Sequence, residues 1–79
     1  MKPYRAEVRW RDPFGAADWM TRKQARKLRP VDVTTHGWVI YEDKDVLVVA
    51  ASRTSDKGWG DVTAIPGGCV VKVNALPQG

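Results

Sequence analysis

The sequence predicts a mainly β protein, a small barrel of five strands with one short α-helix between the first two. Three observations predict it. Tyr4 to Trp10 alternates apolar and charged residues with period two, the mark of a half-buried strand. From Val31 onward, further short apolar stretches are separated by polar or glycine-containing turns, and this rhythm favours a small barrel over an open sheet. Between these regions lies a basic segment with a helix-start signature at Thr21-Arg22-Lys23-Gln24.

In the first strand Tyr4, Ala6, Val8 and Trp10 share one face, and Arg5, Glu7, Arg9 and Arg11 share the other. Asp12-Pro13 and Gly15 end it. Phe14, Trp19 and Met20 are expected to pack on the barrel. The Thr21 hydroxyl should accept from the Gln24 amide, and the Gln24 side chain should return the bond. Pro30 disfavours helical angles at Arg29, so the helix should stop near Leu28. Two turns are not stable alone in water, so the helix is expected to dock on something.

The second strand runs from Val31 to Tyr41, and Gly37 within it suggests a bulge or sharp bend. Glu42-Asp43-Lys44-Asp45 reads as a polar hairpin turn rather than a calcium loop, which needs more oxygen ligands at fixed spacing. Val46 to Ala51 is apolar on both faces, so both faces should be covered. Ser52 to Gly60 reads as a polar loop carrying Trp59 between two glycines, and Asp61 to Ile65 as a short strand. Pro66-Gly67-Gly68 is a tight turn, Cys69 to Val73 the last strand, and Leu76 a plug at one end.

A chain of 79 residues accommodates one domain, spanning 1–79, and excludes two-lobed enzymes and large barrels. So short a chain buries a marginal core and usually needs a disulfide, a metal or self-association. One cysteine excludes an internal disulfide and one histidine excludes a zinc-finger pattern, so a homo-oligomer is expected. No apolar run approaches a membrane span, and the charges at Lys2, Arg5, Glu7 and Arg9 leave no signal-peptide core; a cytoplasmic protein is expected. The net charge of +4 is unevenly placed. Residues 1–29 hold 9 basic and 3 acidic side chains, or +6, and residues 30–79 hold 4 and 6, or −2.

The order of features resembles a group of short phage and prophage proteins. The likeness rests on Val8-Arg9-Trp10-Arg11-Asp12, Trp19, Gly37-Trp38-Val39, Glu42-Asp43, Val46 to Ser52, and Ile65-Pro66-Gly67-Gly68-Cys69-Val70. It covers residues 6–76 and implies a phage-derived protein in the host cytoplasm. In outline the strand pattern also resembles SH3-like and Sm-like barrels. A strand ahead of the helix departs from the Sm-like order.

Catalysis needs a nucleophile, a base and an orienting group together, and no such set is legible around His36, Cys69, Ser52 or Ser55, so no enzyme is expected. No cofactor or metal site is expected either. The informative residues are aromatic and basic. Trp10 and Trp38 fall in the apolar phase of strands and read as core. Trp59 lies beside Arg53 and Lys57, a set suited to stacking on a base and pairing with phosphate; the competing reading folds Trp59 back on the barrel or onto a subunit interface. Arg22, Lys23 and Arg26 form the basic face of the helix and would either be solvated or attract a polyanion. The expected function is therefore non-enzymatic binding of an anionic nucleotide-type ligand, either sequestering a host defence signal or engaging RNA. The alternative is a protein-interaction or virion-structural module that binds a host or phage protein.

Overall fold

The computed structural model describes residues 1–13 and 19–77. The strands are β1 (Tyr4–Asp12), β2 (Val31–Glu42), β3 (Val46–Arg53), β4 (Trp59–Pro66) and β5 (Val70–Ala75), with helix α1 (Arg22–Ala25) between β1 and β2. A single 3₁₀ turn, Gly67–Cys69, joins β4 to β5. All strand pairings are antiparallel, in the order β4-β3-β2-β1-β5. The described ladder has two ends, β4 and β5, with no pairing between them, so the sheet is open rather than closed.

On β1 the core lies where the alternation of Tyr4 to Trp10 placed it. Ala6, Val8, Val39, Leu47, Val49 and Ile65 are buried, and Tyr4, Trp10, Cys69, Val70 and Val73 pack around them. The half-buried Trp10 indole donates to Thr35 Oγ1 at 3.0 Å, which satisfies its N–H. Truncating a core aliphatic such as Ile65 to alanine should cost about 2–5 kcal/mol.

Gly37 is not a bulge. It stays in register with Ala6, and the irregularity in β2 falls between Val39 and Tyr41. Gly37 serves close approach instead, since a Cβ there would lie 2.3 Å from the Ala50 carbonyl oxygen. The turn after Glu42 is held by Asp43, whose Oδ1 accepts from the backbone N–H of Asp45 at 2.8 Å and of Val46 at 3.0 Å. Gly67 closes over that turn, its N–H donating to the Asp45 carbonyl at 2.8 Å.

Several expectations need correction. The capping box forms, with Gln24 N–H to Thr21 Oγ1 at 3.1 Å and Thr21 N–H to Gln24 Oε1 at 2.9 Å. The helix is nevertheless only one turn, because Lys27 and Leu28 donate to carbonyls three residues back and tighten the chain ahead of Pro30. It does not dock, for none of its residues is buried. Trp19 is 102% exposed and Met20 also faces solvent; Phe14 lies outside the described residues. The radius of gyration, 15.5 Å, exceeds the about 12 Å of a compact chain of this length. Residues 54–58 alone form the β3–β4 turn, because β3 continues through Arg53 and β4 begins at Trp59. Nor are both faces of β3 covered. Leu47 and Val49 are buried; on the opposite face Val46 and Val48 are only half-buried, and Ala50 alone is fully covered.

Candidate functional site

The candidate residues fall into two groups that the fold keeps apart. Arg22, Lys23 and Arg26 line one open concavity together with Lys27 and Arg29. Arg22 and Arg26, and Lys23 and Lys27, are four residues apart and so lie on neighbouring sides of the turn, with Arg29 following at its exit. Among the described residues none of them has an acidic partner. Among the described residues Arg29 is the one of the five with a side-chain hydrogen bond, its Nη1 donating to the carbonyls of Arg26 at 2.8 Å and Leu28 at 2.7 Å, which caps the helix end with positive charge.

Arg53, Lys57 and Trp59 belong to the β3–β4 hairpin. Arg53 and Trp59 are register partners, and the guanidinium carbon lies 5.3 Å from the indole centroid, within cation–π range. The other neighbour of Trp59 is Trp38, with ring centroids 5.9 Å apart and planes tilted by 53°. Both indoles are half-buried. Trp59 therefore stands on a strand in an aromatic–guanidinium cluster, not at a loop tip. Trp38, read as core, instead leans out of it toward Trp59. Sequence reasoning missed this pairing because residues 38 and 59 meet only through the β2–β3–β4 register.

The turn between them is ordered by Thr54. Its backbone N–H donates to the Gly58 carbonyl at 2.9 Å, its hydroxyl accepts from the Gly58 N–H at 2.7 Å, and it donates to Asp56 Oδ1. The hydroxyl contact holds the Asp56 carboxyl below its usual range. Lys57 is carried at φ 71°, a left-handed conformation unusual for a side-chain-bearing residue, and it is fully on the surface.

The outward face of β1 carries further charge. Arg5 and Arg9 are exposed, and Arg9 is paired in register with Lys72 of β5 and Thr34 of β2. Arg11 meets Asp32 at 3.3 Å. Glu7 sits between them with His36 Nε2 at 3.1 Å and Asn74 Nδ2 at 3.4 Å, and these bonds, His36 first, hold its carboxyl below the usual range. Cys69 is half-buried against the core, and no group of three or more His, Cys, Asp or Glu suited to a metal occurs among the described residues. No helix among them is long and apolar enough to cross a membrane. No protein-family model, curated protein or solved structure matches the chain.

Proposed function

We propose that this chain is a non-enzymatic binding module for an anionic, phosphate-bearing ligand of nucleotide type. The observation that supports the reading best is the set of five cations, Arg22, Lys23, Arg26, Lys27 and Arg29, around one concavity without an acidic partner among the described residues. Like charges held together in this way repel one another, and an anion relieves that repulsion. Arg53 and Lys57 supply a second basic patch, and Trp59 a ring against which a base can stack. In the phage setting implied by the sequence resemblance, such a module sequesters a host signal nucleotide or engages RNA. Isothermal titration with nucleotides tests the reading. Arg22→Glu combined with Arg26→Glu should abolish binding, and undiminished binding by that variant would refute it.

We also propose that the open sheet is a partly closed barrel of SH3-like outline that self-associates. The strand order and the 3₁₀ turn seated on the Asp45 carbonyl support the outline. The face of β2–β3–β4 away from the core supports self-association. There the half-buried Val48 is paired with Tyr41 and Ala64, and Val62 follows on the same face of β4; Tyr41 and Val62 are each 50% exposed. Light scattering should report an oligomer that Val62→Lys dissociates, and a monomer at high micromolar concentration would remove the proposal.

A protein-binding role has one specific observation in its favour: the fully exposed Trp19 beside the basic helix. It predicts that Trp19→Ala abolishes capture of a partner from nuclease-treated lysate while nucleotide titrations stay flat.

A further inference from the structure

We infer that the ligand is a single-stranded nucleic acid, laid along the outward face of β1 from the basic helix to the Trp38–Trp59 cluster. This inference rests on the anion-binding reading above and commits it to the polymer, on a defined path, rather than to a mononucleotide. A mononucleotide cannot touch both groups of candidate residues, because the fold puts the helix cations at one end of β1 and the tryptophans toward the other. The register fixes these ends: Asp12 lies opposite Val31 next to the helical segment, and Arg5 lies opposite Trp38. From Arg11 to Arg5 is about 20 Å of extended strand.

The space between is not neutral. A concavity lined by Arg11, Arg29, Pro30 and Asp32 joins the helical segment to β1. The next contains Arg9, Arg11 and Thr34 together with Asp32 and Trp10. A third contains Arg5, His36, Trp38 and Leu76. Arg29 belongs to both the first concavity and the helix site, and Arg11 to both the first and the second, so these depressions adjoin; the third shares no residue with them and lies further along the same strand face, beyond Glu7. Period-two alternation puts Arg5, Arg9 and Arg11 on one face, and Lys72 stands beside Arg9 on β5. Two acids share this face, and both are engaged within the protein, Asp32 by Arg11 and Glu7 by His36 and Asn74. The path ends on Trp38, which touches Trp59 and, through it, Arg53.

Cations tracking a backbone toward aromatic rings describe a single-strand site. A duplex is a poorer match. Its bases are not free to stack, and a four-residue helix, about 6 Å long, is too short to read a major groove.

The test is fluorescence anisotropy with labelled oligouridylates from two to about twelve nucleotides, a range taken from single-strand site sizes. Affinity should rise with length and then level off. On single strands each phosphate contact contributes a salt slope near −0.7, or about fivefold in affinity between 1 M and 0.1 M salt. At 0.1 M salt, Arg9→Glu with Lys72→Glu should therefore lose at least about 25-fold for the longest oligomer, since reversal adds repulsion to two lost contacts, and nothing for a mononucleotide. Both residues are exposed, and circular dichroism checks that the double variant is folded. Lys44→Glu, on the β2–β3 turn off the path, should bind as the parent does. Length-independent affinity, equal affinity for a duplex, or wild-type binding by the double variant overturns the inference. If mononucleotides still bind through the helix cations, the anion-binding proposal survives that result; if neither mononucleotides nor oligomers bind, both fall.

Discussion

Replacing Trp59 by alanine separates a structural tryptophan from a free stacking platform. In the folded chain its ring contacts Trp38 at 5.9 Å and Arg53 at 5.3 Å. An aromatic pair in this range contributes about 0.5–1.5 kcal/mol beyond its buried area. A cation–π contact at a solvent-accessible site contributes about 0.5–1 kcal/mol. Trp59→Ala should therefore destabilise by about 1–2.5 kcal/mol before any loss of buried area. For a domain of this size each kcal/mol moves Tm by about 4–8 °C, so Tm should fall by at least 4 °C. Urea denaturation of Trp59→Ala, Arg53→Ala and the double variant isolates the Arg53–Trp59 coupling, expected near 0.5–1 kcal/mol. A parallel cycle with Trp38→Ala isolates the ring pair. Full additivity in both cycles would refute the cluster. Unchanged stability together with lost ligand binding would return Trp59 to the role of an unsupported stacking surface.

Other perturbations follow from the same structure. Gly37→Ala should cost about 1–3 kcal/mol by urea denaturation, because its Cβ meets backbone atoms of Ala50, whereas Gly68→Ala, with nothing within 4 Å, should be close to neutral. Lys57→Gly should stabilise by about 1 kcal/mol by relieving the left-handed conformation, while removing one cation from the hairpin. The carboxyls of Glu7, Asp43 and Asp56 are all held below their ordinary range, by His36, Tyr41 and Thr54 respectively as the first cause. Their contribution is present above the unfolded carboxyl pKa and lost as pH falls through the lowered folded values, so acid titration of the fold should flatten in Asp43→Asn. Burial, then the Glu42 carboxylate, pushes the Tyr4 phenol up to about 12 from 10.0. Its contribution is present below pH 10 and lost as pH rises through 12, and Tyr4→Phe should remove that part of the alkaline loss.

What was legible in the sequence was local. The alternation of Tyr4 to Trp10 placed Ala6 and Val8 in the core, and Thr21 with Gln24 announced the helix start, because each rests on neighbours within one element. What depended on distant register was not legible. Gly37 looked like a bulge because a glycine in a strand permits either a bend or a close approach, and only the position of the Ala50 carbonyl decides between them. Trp59 looked like loop because glycines flank it. The chain instead uses Thr54 to finish the turn early, which frees Trp59 to pair with Arg53 on a strand. The helix was expected to dock because isolated short helices are unstable, but its capping box and the Arg29 bonds to the last carbonyls close it locally.

The net charge of +4 understates how much positive charge this fold leaves uncommitted. Six acids are engaged by the protein itself: Glu7 by His36 and Asn74, Asp32 by Arg11, Glu42 by Tyr4, Asp43 by Tyr41 and the turn amides, Asp56 by Thr54, and Asp61 by Ser52. Five of these six use no lysine or arginine, since among the described residues only Arg11 answers a carboxylate in that way. Those five acids are thus satisfied by hydroxyls, amides and one imidazole, and among the described residues every lysine and arginine but Arg11 is left without a carboxylate. Surface cations of this kind add little to folding, so removing Arg22, Lys23 or Arg26 should leave stability almost unchanged. Their field falls off over a Debye length of about 10 Å at 0.1 M salt, which makes any partner they attract sensitive to ionic strength. Stability insensitive to these residues, combined with a binding constant steeply dependent on salt, is the combination that an anion-binding surface built this way requires.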